Sequence, residues 1–340
     1  MQYDQLGATG AFVSRIALGT MTFGGAGTPP WNVIGGLDEK AADEIVGIAL
    51  DGGVNLVDTA DMYAGGECEE ILGRVLGPRR RDVVLATKLF VRMGKGPNQV
   101  GLSRLWVTQA LEDSLRRLRT DHIDLYQIHS FDPLTPVEET LGALDDAVRQ
   151  GKIRYIGASN LAAWQMAKYL GASDLGGLSR FVSQQVYYSL AGRDIEREIL
   201  PLAVDRKLAT LVYSPLAGGF LTGKFDRDGS SDEQSRRAQA NNPPVDPDRA
   251  YDIVDALRAV AERHGVGVPR VAIAWVLAQP GVTSAIVGAR RPGQLTETLA
   301  AADLELTAED LRELDEAGAL PPSYPGYVQS APSNRLPLQG

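Results

Sequence analysis

Apolar residues cluster in short β-rich runs, each followed by a stretch with helical periodicity. The runs are 16–20, 54–58, 83–87, 123–129, 153–158, 181–186, 208–213 and 283–287. Between them, hydrophobic positions recur at helical spacing: Leu111, Leu115 and Leu118 line one side of a helix expected over about residues 103–119, and Leu141, Leu144 and Val148 line the next. Thr135-Pro136-Val137-Glu138 reads as a capping box with proline at the first helical position, and Gly151 stands where a C-cap belongs. Strands alternating with helices predict βαβ units and a parallel sheet. Eight such pairs close into a (β/α)8 barrel in about 250 residues. The roughly 90 residues beyond that size are assigned to an N-terminal hairpin, a loop over 90–101, an insertion over 218–247 and the chain after Glu305, with a Pro-rich tail over 321–340. The whole chain, 1–340, is read as one barrel domain.

The 340 residues carry 34 basic and 43 acidic side chains, a net −9. That excess excludes the basic footprint of a nucleic-acid or anionic-membrane binder. Cys68 is the single cysteine, so an intrachain disulfide is impossible, a Cys-based zinc site lacks its ligands, and no metal is expected. No basic segment followed by an apolar run opens the chain, so a cytoplasmic protein without a membrane span is expected.

A doubly wound dehydrogenase would show G-x-G-x-x-G between a strand and a helix, and Gly25-Ala26-Gly27 and Gly265-Val266-Gly267 both lack the third glycine. The run from Gly218 to Phe225 nearly spells a phosphate-binding loop, but Phe225 stands where the Mg²⁺-binding hydroxyl is needed. Phosphoryl transfer is set aside on that ground, while Lys224 and nearby backbone amides keep the capacity to hold a phosphate of another ligand.

Catalytic groups of a barrel sit at the C-terminal ends of its strands. Those ends supply Asp58 with Tyr63 just beyond it, Lys88, and His129. An inward lysine on an apolar strand is costly unless paired. A lysine ammonium beside a phenol is expected to lower the tyrosine pKa from about 10 and make Tyr63 a usable acid near neutral pH, with the Asp58 carboxylate keeping the lysine charged. His129, neutral or protonated, could orient a carbonyl oxygen. His122, opening its strand, and His264, near a helix C-terminus that favours a cation, are read as structural.

The run from Gly53 to Tyr63, with Lys88 and His129, resembles the catalytic signature of the aldo-keto reductases, NAD(P)H-dependent (β/α)8 barrels. Residues 19–24, 157–160, 184–188, 213–219 and 286–290 match in order, so the resemblance spans nearly the whole chain. It implies that Tyr63 is the general acid, tuned by Lys88 and Asp58, and that His129 positions the substrate carbonyl. It further implies that Ser159, Asn160 and Gln185 bind the nicotinamide carboxamide and that Tyr213 stacks on its ring. Ser214, Leu216, Gly218 and Lys224 would hold the pyrophosphate, and Gly288, Arg290 and Gln294 the adenosine ribose. Thr20, Met21 and Asp58 complete the implied coenzyme site. A guanidinium suits a 2′-phosphate, so Arg290 favours NADPH over NADH. A family asparagine at the adenine is here Thr298. Trp31 and Phe90 are candidate walls for a small carbonyl substrate, such as a keto-sugar or bulky ketone; oligomeric state is left open. Similar barrels also serve as cofactor-sensing potassium-channel beta subunits, an alternative to carbonyl reduction, and a Schiff-base isomerase or aldolase on Lys88 is a third.

Overall fold

The computed structural model describes residues 1–225, 227 and 242–329, so half of the predicted insertion and the last eleven residues of the tail lie outside the described residues. Strands β1 (Tyr3–Gln5) and β2 (Phe12–Ser14) form the expected antiparallel hairpin. Eight parallel strands then close a barrel: β3 (Ile16–Gly19), β4 (Leu56–Asp58), β5 (Val84–Leu89), β6 (Ile123–Ile128), β7 (Ile153–Ser159), β8 (Phe181–Tyr187), β9 (Ala209–Tyr213) and β10 (Val282–Val287). β10 pairs with both β9 and β3 to complete the circle.

Alternation along each strand separates two cores. Ala17, Leu56, Ala86, Leu125 and Leu211 fill the interior together with Leu6 and Val13 of the hairpin region. Leu18, Val57, Leu85, Tyr126 and Val212, their chain neighbours, pack outward against the helices. The strand period of two therefore turns Asp58, Lys88 and Gln127 inward, two residues above Leu56, Ala86 and Leu125. Parallel pairing sets these rungs side by side, Asp58 opposite Ala86, Lys88 opposite Gln127, and Ser159 opposite Gln185. The result is a polar ring on an apolar plug, at the C-terminal mouth.

Helix predictions hold where caps are local. Helix α1 (Arg104–Leu118) starts at Ser103, whose side chain accepts from the Trp106 amide, and ends at Arg119 in the left-handed region. The capping box at Thr135 is not formed. Helix α2 (Val137–Arg149) starts from Pro136 without a side-chain cap, because the Thr135 hydroxyl donates instead to Asp132 at 2.8 Å. β4 begins at Leu56, two residues later than the pattern suggests. Asn55 is tied to the hairpin, accepting from the Ser14 amide at 2.7 Å and donating to the Phe12 carbonyl at 3.0 Å. Among the described residues no helix is long and apolar enough to cross a membrane.

Candidate active site

At the mouth, Lys88 Nζ lies 2.6 Å from Asp58 Oδ2 and donates to the Thr59 carbonyl at 2.8 Å. Lys88 is fully buried and Asp58 nearly so. The other carboxylate oxygen of Asp58 accepts from Gln185 at 2.8 Å and Gln127 at 3.2 Å. Asp58 thus draws donors from Lys88, Gln185 and Gln127, as a buried charge requires, while Gln127 Oε1 meets no partner among the described residues. Burial draws the lysine pKa down, but the Asp58 carboxylate beside it, followed by the Tyr63 phenol, pulls the other way and holds it above its ordinary value. A lysine so held is an ammonium, which removes the nucleophile that a Schiff base requires.

Tyr63 follows β4 on a short 3₁₀ turn, and Lys88 Nζ stands 5.3 Å from the centre of its ring. The direction expected for its pKa is corrected by the structure. Burial raises it above 10.0, and the pull of Lys88 only partly offsets this. Tyr63 therefore keeps its proton across the neutral range, the state a proton donor needs. Its ring and that of His129 meet edge to face, 6.2 Å apart with planes at 76°. Burial, with the Lys88 charge, pushes the His129 pKa down to about 3. Its Nδ1 meets no hydrogen-bond partner among the described residues. His129 is consequently neutral, and a neutral imidazole can donate one N–H to a carbonyl oxygen. An activity profile governed by this site should show no His129 limb between about pH 5 and 7. Measuring the rate across that range checks this, and a limb removed by His129→Gln would contradict it.

The residues assigned to a nicotinamide also converge. Ser159 donates to the Gln185 carbonyl at 2.9 Å; Asn160, at φ 57°, donates to the His129 carbonyl at 3.0 Å and accepts from the Tyr213 hydroxyl at 2.9 Å. Beside Asn160 and Tyr213 opens a cavity of about 320 Å³, walled by Val186, Tyr187, Ile195 and Ile199. Further along, Ser214, Ala217, Gly218 and Gly219 all take positive φ. A backbone turned this way forms a concavity suited to an anion. A Cβ on Gly219 would meet nothing within 4 Å, so that side is open, whereas one on Gly218 would sit 2.6 Å from the Asn242 carbonyl. Exposed Lys224 lies just beyond. These features fit a pyrophosphate, and the unpartnered His129 nitrogen fits a carbonyl-binding mouth. Gly288 is exposed, Met21 is half-buried, and the Gln294 side chain accepts from the Arg290 amide at 3.2 Å.

Not every candidate faces the mouth in the same way. Thr20 is buried and its hydroxyl donates to the Asp58 carbonyl at 3.1 Å, making it a brace for β4. Trp31 stacks obliquely on Tyr63 at 5.9 Å, whereas Phe90 leans on the hydrophobic core from a strained φ of 147° just past Lys88. Thr298 is buried with its hydroxyl turned back onto the Gln294 and Leu295 carbonyls. His122 pairs with Asp121, and His264 with Asp310 at 2.8 Å, so His264 is held by an aspartate across the fold more than by its helix end.

Two further residues at the site stand outside the candidates that the sequence motifs supply. Gln127 faces inward two residues after Leu125, a position that the strand period of two marks. Asp61 is fully buried, and no side chain among the described residues donates to either of its oxygens. Burial, then the Glu69 charge, raises its pKa to about 8 against the pull of Arg117, the Met62 amide and Lys88. Because the folded protein keeps this proton up to about pH 8 while the ordinary value is 3.8, stability falls as pH rises through that window. Asp61→Asn should flatten the fall, raising stability on the alkaline side by about 1–3 kcal/mol in urea titrations. An unchanged pH slope would refute the neutral carboxyl.

A tyrosine, a lysine paired with an aspartate, and a histidine thus meet at the C-terminal mouth of a closed parallel barrel. A model of the Aldo/keto reductase family matches residues 15–319, and the chain belongs to that family. It is 36% identical to an aldo-keto reductase of Bacillus subtilis over 93% of each chain. It is 34% identical to versiconal hemiacetal acetate reductase of Aspergillus parasiticus, over 96% of this chain and 99% of that one. A protein of Arabidopsis thaliana named "Probable voltage-gated potassium channel subunit beta" is 37% identical over 89% of this chain and 92% of its own. The family uses nicotinamide coenzymes on small carbonyl substrates, and the protein is an oxidoreductase.

Proposed function

We propose that this protein reduces an aldehyde or ketone to an alcohol with NADPH, with Tyr63 as the proton donor. The observation that carries the reading is Tyr63 set 5.3 Å from buried Lys88 and 6.2 Å from His129, where burial favours the protonated phenol and the neutral imidazole. When bound, the coenzyme supplies the hydride. Ser159, Asn160 and Gln185 would orient its carboxamide, Tyr213 would stack on its ring, and the turn after Ser214 with Lys224 would hold its pyrophosphate. His129 donates an N–H to the substrate carbonyl and aims it at Tyr63. The Tyr63 O–H bond breaks as its proton moves to the carbonyl oxygen, and the phenolate left behind is stabilised by the Lys88 ammonium, which Asp58 keeps charged. Arg290, available to a 2′-phosphate, supports NADPH over NADH. Trp31, standing over Tyr63, supports a pocket with an aromatic wall for a bulky ketone or keto-sugar. A single buried cysteine, its thiol pushed up to about 12 by burial, suits a reducing cytoplasm. The test is NADPH oxidation against a panel of aldehydes and ketones; activity with none of them, while NADPH binds, would sink the reading.

A further inference from the structure

Residues 24–37 leave the barrel after β3 and return as a strap with a closed neck. The Gly24 amide donates to the Leu37 carbonyl at 2.8 Å, the Leu37 amide to Thr22 at 3.0 Å, and the Gly36 amide to Gly24 at 3.0 Å. One turn of helix, Trp31–Ile34, lies on it and brings Trp31 against Tyr63. At the far end of that turn, two carbonyls point at Arg290. Its Nε donates to Ile34 at 3.2 Å and its Nη2 donates to Val33. The neighbouring Ala289 carbonyl accepts from the Thr22 hydroxyl at 3.2 Å, so the neck of the strap is fixed to the same loop.

Arg290 therefore touches two regions at once: the place read above for the adenosine ribose, and the strap that walls Tyr63. A guanidinium carries five N–H donors in a planar fork. The strap occupies the edge made by Nε and Nη2, and the edge that includes Nη1 can still face an anion. A phosphate on that edge would fix the plane of the fork, and the fixed plane would hold Val33 and Ile34.

We propose that Arg290 is a latch that couples a phosphate at the coenzyme's 2′ position to closure of the Trp31 strap over Tyr63. The inference rests on the reading of Arg290 as the 2′-phosphate partner. It makes the strap part of coenzyme discrimination: a coenzyme lacking the phosphate leaves the substrate wall loose, and the loss is felt in substrate KM as well as in coenzyme affinity.

Hydrogen exchange of the full chain tests this without turnover. Adenosine 2′,5′-bisphosphate, at concentrations shown by calorimetry to saturate, should slow exchange of the strap amides by about 5- to 10-fold, within the range of ordinary couplings. Adenosine 5′-monophosphate at the same concentration should leave them at the rate of the free protein. Arg290→Gln should speed strap exchange without ligand and abolish the bisphosphate effect. Bisphosphate binding that protects residues 288–294 but not 24–37 would overturn the latch and leave the coenzyme reading standing. Equal protection by both nucleotides would also overturn it. Failure of the bisphosphate to bind would overturn the 2′-phosphate reading and the latch together.

Discussion

Tyr63→Phe should lower the rate of carbonyl reduction by about 10²- to 10⁴-fold, the usual contribution of a positioned general acid, while leaving the fold and NADPH affinity nearly unchanged. The substitution removes one oxygen. The ring remains, and with it the packing against Trp31 at 5.9 Å and His129 at 6.2 Å. What is lost is the proton that burial holds on the phenol. Steady-state rates with a saturating carbonyl, together with fluorescence titration of NADPH, separate the two effects. A rate within a few fold of wild type would show that the proton comes from elsewhere, and weakened NADPH binding with an unchanged rate would make Tyr63 a wall residue.

Lys88→Met carries the second large effect, on stability as well as rate. The methionine is of similar length, but it leaves Asp58 buried, without its counter-ion and held only by Gln185 and Gln127. It also strips the donor from the Thr59 carbonyl. Breaking one side of a buried pair costs about 3–5 kcal/mol, to be read as a lower urea midpoint with an unchanged slope. Replacing both partners, Lys88→Met with Asp58→Leu, should recover part of that stability, because no charge is then stranded. It should recover no activity, because the phenolate has lost its ammonium. Additive losses in the double variant, or restored turnover, would refute the coupling between Lys88 and Asp58.

Much of this site was legible in the chain because strands are simple readers of sequence. A period of two, counted from Leu56 and Ala86, decides that Asp58 and Lys88 face inward, and the barrel rule places them at the catalytic end. All eight barrel strands begin and end within two residues of the apolar runs that predict them. What the sequence could not supply was the balance of opposed effects. The pull of Lys88 on Tyr63 is visible in the residue types, but the desolvation that outweighs it depends on how completely Trp31, His129 and the neighbouring strands enclose the phenol. The choice between neutral and charged His129 likewise follows from burial and its distance from Lys88. The capping box failed because Asp132, three residues upstream, competes for the Thr135 hydroxyl. Asp61 sat in plain view between Asp58 and Tyr63, but nothing in its neighbours announces that no donor will reach it. Arg290 was read for its charge alone, while its grip on Val33 and Ile34 depends on where the strap returns.

In the proposed reaction Tyr63 delivers the proton that accompanies hydride transfer to a carbonyl. The most direct measurement uses NADPH bearing deuterium at the transferring position and follows its arrival at the carbinol carbon by mass spectrometry in a single turnover. Wild-type protein should place deuterium there, and Tyr63→Phe should do so at least about 10²-fold more slowly with the same coenzyme bound. Equal transfer rates in the two proteins, or no transfer by the wild type to any carbonyl tested, would contradict the account.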